Sequence, residues 1–255
     1  PALRCESLED RLAPAATSLY VVTQAGTAPG SLLKEYTTGG SLIRTVAIPD
    51  TGTTEYARDL AVAGGLIHVY NGTFAPKLST YDGAYTGTAN WSSNPGQASF
   101  EGGWSTVNNV SYGGLAVSGA FAFATDMNTA GGPQAGIIRL YLEDGFRERF
   151  AADFQPIDVT VGLDGLLYAL DANRTVRAYH PASLNLVKTV ALPATVPGNT
   201  GGTIAQDYRA IAVDNTGRIY AADWGRTITR FTASGAVEPS AAPQVTSAQG
   251  PAVGN

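Results

Sequence analysis

The stretch Ala210-Ile211-Ala212-Val213, followed closely by Gly217-Arg218-Ile219-Tyr220-Ala221, occurs in similar form four times in this chain of 255 residues. Each copy has a short apolar segment, a turn and a second apolar segment. The other copies are Asp59-Leu60-Ala61-Val62 with Gly64-Gly65-Leu66-Ile67-His68-Val69-Tyr70, Gly114-Leu115-Ala116-Val117 with Gly119-Ala120-Phe121-Ala122-Phe123, and Asp158-Val159-Thr160-Val161 with Asp164-Gly165-Leu166-Leu167-Tyr168-Ala169. A partial copy, Ser18-Leu19-Tyr20-Val21-Val22, has the second segment and no clear first. Internal repeats of this size indicate an array of similar supersecondary units.

Each repeat continues with further segments that are typical of β-strands. A third strand that ends near an aromatic residue is predicted at Leu33 to Tyr36, Leu78 to Tyr81, Ile138 to Tyr141, Val176 to Tyr179 and Ile228 to Phe231. A fourth strand is predicted at Leu42 to Pro49 and at Leu186 to Pro193. Five units of this kind account for the chain.

The central triplets of the first segments, Leu-Ala-Val, Leu-Ala-Val, Val-Thr-Val and Ile-Ala-Val, are apolar on both faces. A strand with one solvated face would alternate, so both faces of these strands are predicted to be buried. The middle residue is small (Ala61, Ala116, Thr160 and Ala212), which suits a crowded place where neighbouring sheets converge. A radial array of four-stranded sheets gives its innermost strands that environment. We therefore predict an all-β fold, a β-propeller of about five four-stranded blades, or six if one repeat has diverged.

The fourth repeat resembles the NHL type of propeller repeat. Its matching residues are Asp214, Gly217, Tyr220, Asp223 and Phe231, and the third repeat matches through Val161, Asp164, Gly165, Tyr168 and Asp171. This resemblance implies a fold shared with YVTN-type surface propellers and SMP-30-type lactonases. It implies no single activity, because one fold carries many functions.

The first residues resemble the "LEDR" segment at the N-termini of planctomycete cell-surface and secreted proteins. The matching residues are Glu6, Leu8, Glu9, Asp10, Arg11 and Pro14. The resemblance implies export or surface display, and the alternative is a short charged helical turn. We assign residues 1–17 to this segment and a linker, 18–238 to the propeller, and 239–255 to a C-terminal linker or closing strand. Composition favours the linker, although Gln244-Val245-Thr246 would supply the strand that the first repeat lacks.

Composition and charge narrow the functional classes. Hydrophobic residues make up 44% of the chain and charged residues only 15%, against about 25% in typical soluble domains. A net charge of −5 disfavours nucleic acid as the partner. No apolar run reaches the roughly 18 residues of a membrane helix, so we expect no membrane insertion. The single cysteine, Cys5, excludes an internal disulfide. We expect a secreted or cell-surface protein and a monomer.

The sequence lacks the usual catalytic constellations. His68 occupies the position of Tyr20, Tyr168 and Tyr220 in other repeats and is predicted to be a packed strand residue, whereas His180 is predicted to be exposed. Two isolated histidines do not supply a zinc site. The chain has no Gly-x-Ser-x-Gly elbow and no dinucleotide-binding glycine motif. We therefore predict no catalytic residues, no metal centre and no cofactor.

Charged residues at the starts of the inner strands are the candidate ligand site: Arg58, Asp59, Asp158, Asp207 and Arg209. In a propeller this end of the strand faces the central funnel, where converging polar groups commonly bind a ligand. The alternative is that the aspartates brace the inner strands. A lactonase of the SMP-30 type would need a glutamate, an asparagine and an aspartate on a divalent metal, and no glutamate begins an inner strand.

Two further groups of residues are candidates for binding a metal ion or a ligand. Turn residues that could give oxygens to calcium are Asp126 with Asn128, Asp171 with Asn173, and Asp214 with Asn215. Their recurrence favours a role as turn caps. The long segment 83–111 carries the aromatics Tyr85, Trp91, Phe100 and Trp104 among Gly, Ser and Asn. Such aromatics either bind a sugar or protein partner, or cover the propeller as a small satellite core.

Together these patterns favour a non-catalytic, secreted or surface-attached β-propeller that binds a protein or a glycan. One alternative is a metal-dependent propeller hydrolase, lactonase or lyase that uses the central funnel. The other is a structural component of the cell envelope.

Overall fold

The computed structural model describes the residues 18–24, 31–48, 57–63, 66–71, 77–82, 114–126, 136–143, 146–151, 153–197, 203–223 and 228–238. Every regular element among them is a β-strand. In this described part of the chain, no helix is long and apolar enough to cross a membrane. The segments assigned from sequence to 1–17 and 239–255 lie outside the described residues.

The strands of the described residues form six antiparallel sheets, and the five that have three or four strands follow one another along the chain as what we call blades 1 to 5. Blade 1 contains β1 (Ser18–Gln24), β2 (Ser31–Thr37) and β3 (Leu42–Ala47), and blade 2 contains β4 (Ala57–Ala63), β5 (Leu66–Asn71) and β6 (Lys77–Asp82). Blade 3 contains β7 (Leu115–Ser118), β8 (Phe121–Asp126), β9 (Gly136–Tyr141) and β10 (Arg147–Phe150). Blade 4 contains β11 (Pro156–Val161), β12 (Leu167–Asp171), β13 (Thr175–Tyr179) and β14 (Leu186–Ala191). A hairpin of β15 (Thr195–Pro197) and β16 (Thr203–Ala205) follows, and blade 5 contains β17 (Tyr208–Val213), β18 (Ile219–Asp223) and β19 (Ile228–Phe231).

The third and fourth strands predicted from sequence are confirmed. The predicted third strands correspond to β2, β6, β9, β13 and β19, and the two predicted fourth strands to β3 and β14. Blades 3 and 4 are complete four-stranded meanders. In blade 5, Val237 pairs with Phe231 at the place where a fourth strand would run.

The blades stack face to face around their first strands. The strands β4, β7, β11 and β17 lie next to one another in that order. Each apolar cluster of the described residues is shared by two consecutive blades, and the four clusters fill the interfaces 1–2, 2–3, 3–4 and 4–5. Burial against both neighbours explains why a sheet can be apolar on both faces. The protein is a β-propeller, as the sequence predicted.

Burial of the inner triplets is confirmed in part. Ile211, Ala212 and Val213 in β17 are all buried. In β4, however, Val62 is 43% exposed, whereas its equivalent Val213 is 2% exposed. The side chain of Val62 lies on the blade 1 side, and among the described residues blade 1 has no strand inside β1. The prediction that both faces are buried is therefore wrong for β4.

A buried arginine connects blades 3 and 4. Arg139 in β9 is 6% exposed and stacks on the Phe121 ring, with 4.8 Å from its guanidinium carbon to the ring centroid. Its Nη1 atom donates to the carbonyl oxygens of Pro181 (3.0 Å) and Ala182 (2.5 Å) in blade 4. Its Nε atom donates to Glu148 at 2.7 Å within blade 3. The guanidinium thus has hydrogen-bond acceptors in both blades, as a buried charge requires.

Candidate functional site

The inner-strand carboxylates are positioned by a repeated irregularity. The pairing register shifts between Ala57 and Asp59 in β4, and between Pro156 and Asp158 in β11. One extra residue bulges out at each place, and such bulges re-aim the following side chain. The register makes Gly114 and Ala210 the equivalents of these aspartates in blades 3 and 5.

Both carboxylates bind backbone amides of the next blade. Oδ2 of Asp59 accepts the amide of Leu115 at 2.6 Å, and its Oδ1 accepts the amide of Leu60 at 2.8 Å. Oδ2 of Asp158 accepts the amide of Ile211 at 2.7 Å. Both amides belong to the first strand at the edge of its sheet, and the carboxylates serve as their acceptors. The interpretation that the aspartates brace the inner strands therefore describes their observed contacts.

The glycine in blade 3 makes room for the carboxylate of blade 4. A Cβ atom at Gly114 would lie 2.3 Å from Oδ1 of Asp158 and 2.4 Å from the Val159 nitrogen. Asp158 is only 9% exposed, so its side chain has little freedom to move away. Glycine is therefore required at this point of close approach.

The pKa values of the two carboxylates are shifted by their surroundings. Burial raises the pKa of Asp59 to about 7, although the amides of Leu115 and Leu60 act in the opposite direction. Burial raises the pKa of Asp158 well above its usual value, and the nearby charge of Asp59 raises it further. Two like charges in a desolvated region disfavour each other's ionised form.

The other predicted funnel residues have different surroundings. Arg209 is the bulge residue of β17, and its guanidinium forms a partly exposed ion pair with Asp207 just before that strand. Arg58 is the bulge residue of β4, and its side chain lies outside the described residues. Strand register thus separates Asp59 and Asp158, which occupy equivalent positions, from the pair Asp207 and Arg209.

The described turn aspartates cap their own turns. Oδ1 of Asp171 accepts the amides of Asn173 and Thr175, both at 2.8 Å. Oδ1 of Asp214 accepts the amides of Thr216 at 2.9 Å and Arg218 at 3.1 Å. This is the local bonding that makes aspartate favourable in turns. Groups of three or more His, Cys, Asp or Glu side chains able to hold a metal are not found among the described residues.

Both histidines lie where the sequence placed them. His68 in β5 is buried, its Nδ1 lies 3.0 Å from Oγ1 of Thr80, and burial lowers its pKa. His180 is exposed, and its Nδ1 accepts the amide of Ser183 at 3.4 Å.

Three groups of predicted residues lie outside the described side chains: the loop aromatics Tyr85, Trp91, Phe100 and Trp104, the calcium-ligand candidates Asp126 and Asn128, and the LEDR segment.

Sequence reasoning missed a second use of the turn aspartates. The Tyr168 hydroxyl donates to Asp164 at 2.6 Å, and the equivalent Tyr220 hydroxyl donates to Asp214 at 3.1 Å. The two aspartates occupy different positions of equivalent turns. In blade 4, a Cβ at Gly162, the equivalent of Asp214, would lie 2.8 Å from the Tyr168 ring. The pairing of tyrosine with a turn aspartate is thus kept by two different arrangements.

Comparison with known proteins gives no family for this chain. No protein-family model matches the chain, and a search of curated proteins finds no match. Among solved structures, glutaminyl cyclase from Myxococcus xanthus is similar at 15% identity and a TM-score of 0.44, over 72% of this chain and 70% of that one. BamB from Moraxella catarrhalis is similar at 13% identity and a TM-score of 0.44, over 89% of this chain. The match spans 55% of the BamB chain, so this chain corresponds to about half of that protein.

The raised pKa values predict an unusual pH dependence. We expect the protein to unfold at a higher temperature at pH 5 than at pH 8. Aspartate in an unfolded chain titrates near about 4, so the folded protein binds more protons, and stability is lost as pH rises through the folded pKa of about 7. Thermal unfolding followed by circular dichroism from pH 5 to pH 8 measures this slope.

Two variants test whether Asp59 causes this dependence of the unfolding temperature on pH. Asp59→Asn should flatten it, because the residue can no longer ionise, even if the variant is less stable at every pH. The control Asp153→Asn removes an exposed carboxylate that pairs with Arg177 and should leave the slope unchanged. An equal slope in wild type and Asp59→Asn would contradict the prediction.

Proposed function

We propose that this β-propeller is a non-catalytic binding module for a protein or glycan ligand, secreted or attached to the cell surface. The observation that carries the proposal is the use of Asp59 and Asp158. Their carboxylate oxygens accept amides of neighbouring inner strands at 2.6–2.8 Å. Groups that hold the scaffold together in this way are poorly placed to take part in a reaction at the funnel.

The ligand surface in this proposal is the long segment 83–111. A rigid stack of blades commonly presents function on the loops that connect its strands. Tyr85, Trp91 and Trp104 lie among small polar residues, and aromatic rings of this kind offer flat apolar surfaces for sugar rings or for a protein partner. The funnel pair Asp207 and Arg209 remains a second candidate contact of the same module.

The proposal predicts a specific effect of removing the tryptophans. Glycan-array and pull-down screens of the purified protein should identify a ligand, and Trp91→Ala with Trp104→Ala should weaken its binding at least tenfold, about 1.4 kcal/mol. Phe146→Ala, which removes an exposed aromatic of blade 3, is the matched control and should leave the affinity unchanged. Unchanged affinity in the tryptophan variant would contradict this assignment of the surface. Turnover of a small ester or lactone, without any ligand in the screens, would contradict the binding function itself.

A metal-dependent hydrolase, lactonase or lyase is the second candidate, and one observation favours it. The pKa of about 7 for Asp59 lies where a general acid or base works best. Metal analysis of the purified protein separates the two candidates. One tightly held divalent ion, lost in Asp158→Ala while the fold is retained, would favour the enzyme.

A further inference from the structure

We propose that blade 5 packs directly against blade 1 of the same chain, so that five blades complete the ring. These two blades are the ends of the described stack, in which blade 1 packs on blade 2 and blade 5 packs on blade 4. In the proposed contact, Arg230 of blade 5 binds the turn between β2 and β3 of blade 1. The proposal is independent of the ligand and of the proposed function.

The end face of blade 1, formed by Leu19, Val21 and Tyr36, has the composition of a buried interface. It lies on the opposite side of the sheet from the residues that pack on blade 2, and Leu19 and Val21 are 41% and 42% exposed. The strand register pairs Leu19 with Tyr36. The equivalent pairs in three other blades are all 0–4% exposed and pack on the preceding blade: Ile67 with Tyr81, Leu167 with Tyr179, and Ile219 with Phe231. A solvated face of an antiparallel sheet is normally polar, so this face indicates burial against a preceding blade.

The end face of blade 5 repeats an arginine pair that joins blades 3 and 4. Arg230 lies opposite Tyr220 in the ladder, on the side away from blade 4, just as Arg139 lies opposite Phe123 in blade 3. The Nε atom of Arg139 lies 2.7 Å from Glu148, and the Nε atom of Arg230 lies 2.7 Å from Glu238. The side chain of Arg230 is nevertheless 34% exposed, against 8% for Arg139. The difference is the one expected if the face of Arg230 has yet to meet the next blade.

The contacts of Arg139 in the next blade identify the predicted contacts of Arg230. Nη1 of Arg139 donates to two successive carbonyls, those of Pro181 and Ala182, in the turn between β13 and β14. The corresponding turn of blade 1 joins β2 to β3, and its exposed residues Thr38 and Gly39 occupy the equivalent positions. The planar set of donors in a guanidinium suits two adjacent carbonyl oxygens. We therefore expect Arg230 to donate to the carbonyls of Thr38 and Gly39.

The turn of blade 1 has the same form as a turn that already contacts a preceding blade. In Thr37–Ser41 of blade 1 and in Thr232–Ala236 of blade 5, the amide of the first residue donates to the carbonyl of the last at 2.8 Å. The fourth residue of each is a glycine with positive φ, +84° at Gly40 and +89° at Gly235. Gly235 is buried, and a Cβ there would lie 2.7 Å from Cγ1 of Val190 in blade 4, whereas Gly40 is exposed with open space around it. Packing of blade 5 on blade 1 would give Gly40 the same kind of neighbour.

The two end faces fit each other because they are of opposite kinds. Each of the four observed interfaces joins the face that one blade turns towards the next with the face that the next blade turns back. The stack leaves one face of each kind, on blade 5 and on blade 1, so one contact uses both. Because both faces belong to one chain, their effective concentration is high, and this favours closure within the chain over pairing between chains.

Crosslinking tests the proposed contact. In a Cys5→Ser background, Gly39→Cys with Glu238→Cys should be joined within one chain by a short bismaleimide in dilute solution, as seen by intact mass and by linked peptides. The matched positive control is Ala182→Cys with Glu148→Cys, the equivalent pair at the interface of blades 3 and 4, where both residues contact the same guanidinium. Ala182 also shows that a side chain is compatible with the position of Gly39.

The negative control and the outcomes are equally defined. Gly39→Cys with Glu148→Cys places the cysteines on blades 1 and 3, which are not neighbours in the stack, and should not give a link within the chain. A link between Gly39→Cys and Glu238→Cys only in dimers would show that a second copy covers the face. Absence of any link, while the positive control reacts, would show that the two ends do not meet. Either result would overturn the proposal.

A charge on the end face of blade 1 tests its burial without cysteine. Leu19→Asp should lower the unfolding temperature by about 5 °C, because closure of the ring would bury the introduced charge. The control Leu186→Asp lies opposite Tyr179 in β14, where the side chain is 53% exposed although blade 4 has both its neighbours. This control should stay within about 2 °C of the wild type. Equal shifts for the two variants would contradict closure.

Discussion

Replacement of Arg139 by alanine is expected to lower the free energy of unfolding by about 3–5 kcal/mol. The guanidinium is buried and is the donor for the carbonyls of Pro181 and Ala182 and for Glu148. Without it, the buried carbonyl of Pro181 loses its donor at the interface of blades 3 and 4, and the stacking on Phe121 is lost. Urea denaturation at constant pH measures the effect.

Two control variants separate the loss of the Arg139 contacts between blades 3 and 4 from a general loss of positive charge. Arg218→Ala removes an arginine with a more exposed side chain that pairs with Glu238 on blade 5, and it should cost less than about 1 kcal/mol. Arg139→Lys retains the charge but not the planar set of donors, so it should fall between the two. A loss for Arg139→Ala as small as that for Arg218→Ala would show that the interface does not depend on this side chain.

Replacement of Gly114 by alanine is expected to cost about 2–4 kcal/mol, at the upper end of the effects of overpacking. The added methyl group would meet both the Asp158 carboxylate and the Val159 backbone at 2.3–2.4 Å, so a side-chain rotation alone does not relieve it. The substitution should also displace Asp158 from the amide of Ile211 and thereby loosen blade 5.

The comparison variant for Gly114 is Gly39→Ala. At Gly39 the nearest atom to an added Cβ would be Oγ1 of Thr37 at 3.7 Å, an ordinary contact. This variant should stay within about 0.5 kcal/mol of the wild type. If hydrogen exchange of the Ile211 amide is unchanged in a well-folded Gly114→Ala protein, the proposed link between these blades is incorrect.

The sequence predicted the features that depend on short-range patterns. The triplets of β4, β7, β11 and β17, the turn glycines and the aromatic ends of the third strands are local signals, and each was placed in the correct strand. Gly165 and Gly217 adopt φ values of +78° and +77°, which explains why glycine marks both hairpin turns.

The features that sequence reasoning missed depend on partners far along the chain. Leu115 lies 56 residues from the carboxylate that accepts its amide, and Pro181 lies 42 residues from Arg139. No local pattern encodes such distances. The hairpin of β15 and β16 has only three residues in each strand, too few for periodicity to reveal. For the candidate site, residue types were predicted at the starts of the inner strands, but bulges and register decided which of them came together.

Asp59 and Asp158 each bind an amide of the following blade, so the structure depends on the order of the repeats along the chain. A gene rearrangement that exchanged the repeats of blades 3 and 4 would preserve the hydrogen-bonded ladder within each of them. It would nevertheless bring Asp59 and Asp158 onto adjacent inner strands, without the intervening glycine. It would also leave Ile211 with a neighbour that has no acceptor. The repeats are similar in sequence, but the inner strand of one blade makes specific contacts with that of the next. Recombination between repeats would therefore lower the stability of the protein, although their sequence similarity gives no sign of it.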